Sequence, residues 1–126
     1  MKELIEELKL NRVAYLLEIM EKKDFDSKIN ALKKLEKMKI TPNIGLFLIQ
    51  NSTKNYGVND NNGGLNASIL SLCFKNYYDV YTDAIEKVYK NLLPNVQNKV
   101  VYLLTTVDSE SALKLYVDLV LKNYKN

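Results

Sequence analysis

Seven stretches of apolar residues at helical spacing, separated by short polar or proline-containing breaks, fill nearly the whole chain. A chain patterned in this way satisfies its backbone hydrogen bonds within each segment and must bury one face of each segment against the others. We therefore expect an all-α fold built by stacking amphipathic helices. With 126 residues, 47% of them hydrophobic, the chain is long enough for one continuous core, so residues 1–126 read as a single domain.

Leu4, Ile5 and Leu8 open the first stripe, and Val13, Leu16, Leu17 and Met20 continue it along one helix face. The step from Leu8 to Val13 is out of phase, which implies either two helices, near 2–10 and 12–23, or one helix bent around Leu10-Asn11. Asp24-Phe25-Asp26 supplies a break and an N-cap for a helix near 27–38, with Ile29, Leu32, Leu35 and Met38 inward and lysines elsewhere. Thr41-Pro42 is the strongest helix start, because a threonine hydroxyl caps free amides and proline in the first turn loses no needed hydrogen bond. The helix that follows, near 42–54, is apolar all round from Ile44 to Ile49. Such a run suits a helix covered on two sides or a short buried strand, and the surrounding pattern favours helix. Gly45 lowers helicity by ~1 kcal/mol relative to alanine, so a neighbouring helix is expected to approach closely there. Residues 55–64 are rich in asparagine and glycine and form the one extended loop, flexible near 56–64. Further stripes predict helices near 65–75, 78–92, 95–107 and 109–124.

Grouped by connection length, these helices suggest antiparallel pairs: 27–38 with 42–54, 65–75 with 78–92, and 95–107 with 109–124. The layout resembles HEAT-like or armadillo-like repeats over most of the chain, most closely from Pro94-Asn95-Val96 through Leu121. The resemblance implies a short right-handed α-solenoid of stacked pairs. It is one of layout: no residue signature repeats between pairs, and an irregular helical bundle is the alternative fold.

The chain has no histidine, which removes Ser-His-Asp, Cys-His and histidine-metal chemistry together. Cys73 is the single cysteine. It lies on an apolar stripe beside Ile69 and Leu72, where packing is its natural role, and a lone cysteine points to a reducing cytoplasm. Asp79 and Asp83 could share a helix face, but with lysines nearby they read as solvated carboxylates. Asn59-Asp60-Asn61-Asn62-Gly63 fails the calcium-loop register, because Val58 and Ile69 would fall at ligand positions. Asn51-Ser52-Thr53 and Asn66-Ala67-Ser68 match the glycosylation sequon by chance in an asparagine-rich chain. The start of the chain is acidic and amphipathic rather than signal-like, and no apolar run reaches the ~20 residues needed to cross a bilayer. Abundant Lys, Asn, Ile and Tyr with scarce Ala and Arg suggest an AT-rich, bacterial coding source. No catalytic, cofactor or metal site is assigned, and no cofactor or membrane is expected.

The surfaces are then the carriers of function. In the last helix Leu113, Val117, Val120, Leu121 and Tyr124 form one stripe, and Ala112, Leu115, Tyr116 and Leu119 form a second. A helix with two apolar faces wants cover on both. We expect Leu115, Tyr116 and Leu119 to contact a protein partner or a second copy, unless the N-terminal helices cover them. That expectation makes the chain a non-enzymatic interaction or scaffold module. The alternative is a nucleic-acid-binding helical domain using Lys22, Lys23, Lys33, Lys34, Lys37 and Lys39, the densest basic region, although Arg12 is the lone arginine and the net charge is only +3. The layout is also similar to that of some helical-repeat DNA glycosylases. Nine tyrosines, among them Tyr77, Tyr78, Tyr81, Tyr89, Tyr102 and Tyr116, could stack bases or anchor a peptide, yet most sit at core spacing. A third option is an enzyme working through carboxylates or Cys73.

Overall fold

The computed structural model describes residues 2–54, 56 and 63–125, with side chains through 121. Over these residues the chain forms seven helices and no strand: α1 (Lys2–Lys22), α2 (Phe25–Glu36), α3 (Pro42–Gln50), α4 (Gly64–Cys73), α5 (Val80–Tyr89), α6 (Pro94–Leu104) and α7 (Glu110–Lys125). The capping chemistry sets several of these boundaries. Asp24 accepts the Ser27 amide at 2.8 Å ahead of α2, Thr41 caps α3 with Pro42 in its first turn, and the Ser109 hydroxyl accepts the Ala112 amide at 3.2 Å ahead of α7. The Asp24 carboxyl is held below its ordinary value, chiefly by that Ser27 amide.

α1 continues through Leu10 and Asn11 as one helix, but only Val13, Leu16, Leu17 and Met20 on it are buried. Leu4, Ile5 and Leu8 stay in water. Length explains this: at ~1.5 Å per residue α1 runs roughly 31 Å and its antiparallel neighbour α2 roughly 18 Å, so α1 outruns its cover. One polar tie reaches the overhang, where the Thr41 hydroxyl donates to the Glu6 carboxylate.

The odd-numbered helices touch in sequence, α1 with α3, α3 with α5 and α5 with α7, and the even-numbered ones do likewise, α2 with α4 and α4 with α6. Between the two sets α1 packs on α2, α3 on α4 and α6 on α7. The pair expected from 95–107 and 109–124 therefore forms. The other two expected pairs do not, since α2 with α3 and α4 with α5 make marginal contact at most. The physical reason lies in α3, whose apolar circumference is shared among α1, α4 and α5 and leaves no face for α2. A single cluster of buried residues draws on all seven helices.

Gly45 has the close neighbour its cost implied. A β-carbon built on Gly45 would lie 1.9 Å from the Tyr81 Oη and 2.3 Å from its Cζ, so the ring of α5 rests directly on the α3 backbone. Tyr81 is fully buried, its hydroxyl donates to the Thr41 carbonyl at 3.4 Å, and Tyr77 and Tyr78 meet its ring edge-on. The Cys73 thiol of α4 reaches the Gly45 carbonyl at 3.7 Å.

Of the 55–64 stretch, Tyr56, Gly63 and Gly64 are described, while 55 and 57–62, on which most of the loop expected near 56–64 falls, lie outside the described residues. Tyr56 is buried in the core, and its carbonyl accepts from the ammonium of Lys28, itself buried. Asn66 donates to the Lys54 carbonyl at 2.9 Å, drawing the start of α4 onto the end of the α3 segment. Gly63 takes the left-handed conformation at φ 77° against Val96 and Leu93 of the α6 start.

The Gly45–Tyr81 contact makes a sharp prediction. Gly45→Ala, which favours an isolated helix by ~1 kcal/mol, should instead destabilise the protein by ~1–3 kcal/mol through overpacking. Urea titrations should also show strong coupling: in a Tyr81→Leu background, where the ring is gone, the alanine should cost little or become favourable.

Candidate functional site

The two stripes of α7 are placed the opposite way from the sequence expectation. Ala112, Leu115 and Leu119 face the core, with Leu115 3% and Leu119 6% exposed, and Tyr116 is half-buried against it. Leu115, Tyr116 and Leu119 therefore do not form an outer interface. Their cover comes from α5 and α6 rather than from the N-terminal helices. Ala112, small and fully buried, lies on the inward face, while bulky Leu113 beside it is left outside. The face left in water carries Leu113, 57% exposed, Val117, 44% exposed, Val120 and Leu121. A shallow depression of about 430 Å³ lies along it, between Leu113 and Val117 and the polar chains of Glu110, Lys114 and Asp118. Glu110 and Lys114 pair across one turn at 3.6 Å. Nearby on α6, exposed Tyr102 lies under the Lys99 ammonium, 5.5 Å from the ring centre.

The lysine-rich region is split by the α1–α2 hairpin. Lys22 and Lys23 sit at its turn, where Lys22 pairs with Glu18 at 3.1 Å. Lys33, Lys34, Lys37 and Lys39 lie at the far end of α2, exposed. From Phe25 to Lys34 the helix rises roughly 14 Å, so the six lysines are two groups and not one patch. Lys28, between them in sequence, is buried. Beside the second group, α1 and α2 enclose a groove of about 500 Å³ lined by Arg12, Tyr15, Leu16, Lys34, Lys37 and Met38. Sequence reasoning treated Arg12 as an isolated cation and passed over Tyr15. The available signal was their spacing of three, which puts both on one face of α1 beside the buried stripe.

Of the residues considered for catalysis, Cys73 and Asp79 are engaged structurally and Asp83 is exposed. Cys73 is fully buried, and burial pushes its thiol from an ordinary 9.0 up to about 12. Asp79 accepts from Ser109 at 2.8 Å and Ser111 at 3.1 Å, joining the start of α5 to the start of α7. That junction continues through Ser111, Thr82 and Tyr77 in a chain of hydroxyl contacts at 2.8 and 2.6 Å. Burial raises the Tyr77 phenol above its ordinary value, opposed by the Thr82 hydrogen bond, and burial raises Tyr81 still further. Asp83 lies apart from this junction, exposed at a hollow of about 230 Å³ with Leu46, Val80 and Lys87. Among the tyrosines with described side chains, Tyr15 and Tyr102 are exposed and the rest are buried or half-buried.

Among the described residues no helix is long and apolar enough to cross a membrane. Compared with known protein families, curated proteins and solved structures, the chain matches none.

Two measurements check these placements. Leu119→Lys should strongly destabilise the folded chain, by ~3 kcal/mol or more, because it puts an unpaired ammonium into the core. For Cys73, a raised thiol pKa means the folded chain holds that proton more tightly than the unfolded chain does. Its contribution to stability is complete below pH 9 and is lost as pH rises towards about 12. Alkylation by iodoacetamide near pH ~8 should accordingly be very slow in the native protein and fast once denaturant exposes the thiol.

Proposed function

We propose that the chain is a non-enzymatic protein-interaction module of the cytoplasm, a short right-handed HEAT-like array whose contact face is the outer stripe of α7. What supports the array is the packing order, each helix resting on the helix two places along, which is how a solenoid propagates. The observation that carries the binding role is the exposure of Leu113, Val117, Val120 and Leu121 on one helix face. The spacing of Leu113, Val117 and Leu121 suits an amphipathic helix laid against α7, in the manner of helix-in-groove recognition. Each large apolar side chain covered there stabilises a complex by ~1.5–3 kcal/mol before association costs. Four apolar side chains fall short of the ~20–30 residues a side of a standard interface, so the contact is transient and reversible.

The most direct form of this reading is homotypic, with α7 of one copy covering α7 of another. Sedimentation equilibrium should then show concentration-dependent self-association of the wild type. Val117→Lys should abolish it while shifting the stability of the monomer by no more than ~0.5 kcal/mol, because the position is on the surface. A wild type that stays monomeric at every accessible concentration, or a Val117→Lys chain that associates equally well, ends the homotypic form.

A further inference from the structure

We infer that the groove between α1 and α2 binds single-stranded nucleic acid, with Tyr15 as the platform for a base and Arg12, Lys34 and Lys37 as partners for phosphates. Its six lining residues combine three cations, one aromatic ring and an apolar floor of Leu16 and Met38, and no carboxylate is among them. Of the nearby acids Glu18 is held by Lys22, Glu21 by Lys54 at 2.6 Å, and Glu6 accepts from Thr41, while Glu7 and Glu36 are exposed and do not line the groove. Among the described residues Arg12, Lys34 and Lys37 make no ion pair, so their field is open to an incoming anion. Tyr15 is 63% exposed, far from the stacked group of Phe74, Tyr77, Tyr78 and Tyr81. An aromatic ring left in water between three cations matches the two halves of a nucleotide, a flat base and a charged phosphate.

The same features separate this ligand from its rivals. A duplex keeps its base faces stacked inside and offers Tyr15 nothing to stack on. A membrane surface needs apolar side chains that project beyond the cations, whereas Leu16 is buried and Met38 half-buried at the bottom of the groove. A free nucleotide would occupy the groove alone, but exposed Lys33 and Lys39 extend the positive track past it along and beyond the end of α2, as a continuing backbone requires. The site lies on α1 and α2, which have no packing contact with α7 beyond a marginal one, so it is independent of the α7 face.

Fluorescence anisotropy with a labelled oligothymidylate of about ten nucleotides tests the proposal on the full chain. Binding should weaken with salt at a log–log slope between about −2 and about −3.5, since a single strand contributes ~0.7 for each phosphate met by the three groove cations and by Lys33 and Lys39. Arg12→Gln and Lys34→Gln should each flatten that slope by ~0.7. Tyr15→Ala should lower affinity by ~5-fold or more with the slope unchanged, because stacking is not ionic. Circular dichroism melts confirm folding of each variant, and Lys90→Gln, at an exposed lysine after α5 that lines neither the groove nor the α7 face, is the control expected to bind as wild type. The proposal is overturned by no binding at low salt, by Tyr15→Ala binding as wild type, or by Lys90→Gln losing as much as Lys34→Gln. It is equally overturned if duplex DNA, polyglutamate or free thymidine monophosphate competes as well as the oligonucleotide at equal charge.

Discussion

Everything in this fold is organised around the place where a helix has no side chain. At Gly45 the α3 backbone is bare, and two neighbours use the space: the Tyr81 ring of α5 lies on it, and the Cys73 thiol of α4 contacts its carbonyl. A close approach of this kind multiplies dispersion contacts that are individually small. It also fixes the axial position of α5 relative to α3, because a rigid ring seated on a glycine cannot slide past the flanking residues. α3 packs on α1 as well as on α4 and α5, so this one contact sets the geometry of four helices.

The helices themselves were legible in the sequence because their signals are local. Spacing located the stripes, Asp24, Thr41-Pro42 and Ser109 marked starts, and the cost of a glycine inside an apolar helix pointed to the approach at Gly45. What was not legible depends on partners. Both stripes of α7 are apolar, and which of them turns inward is settled by packing on α5 and α6, helices distant from those residues in sequence. Leu4, Ile5 and Leu8 read as core, yet the shortness of α2 strips them of cover. Lys28 reads as solvated, and its burial follows from the Tyr56 carbonyl, contributed by a residue 28 positions away. Short connections suggested adjacent pairs, but a helix that is apolar all round draws neighbours from beyond its own hairpin.

The surfaces differ in character from end to end. Cations and an uncovered tyrosine gather at α1 and α2, where two helices of unequal length leave an open seam. Aliphatic side chains dominate the outer side of α7. Between them, in α3 to α5, polar side chains serve to join elements. Asp79, Ser109, Ser111, Thr82 and Tyr77 tie the start of α5 to the start of α7, and Lys28 and Asn66 hold the ends of the intervening loop.

The packing order has a consequence for cooperativity. Beyond marginal contacts, no helix packs on one more than two places along, so among the seven helices α1 reaches α7 only through those between them. α1, with two packing partners and a solvated overhang, can fray while α5 to α7 remain docked.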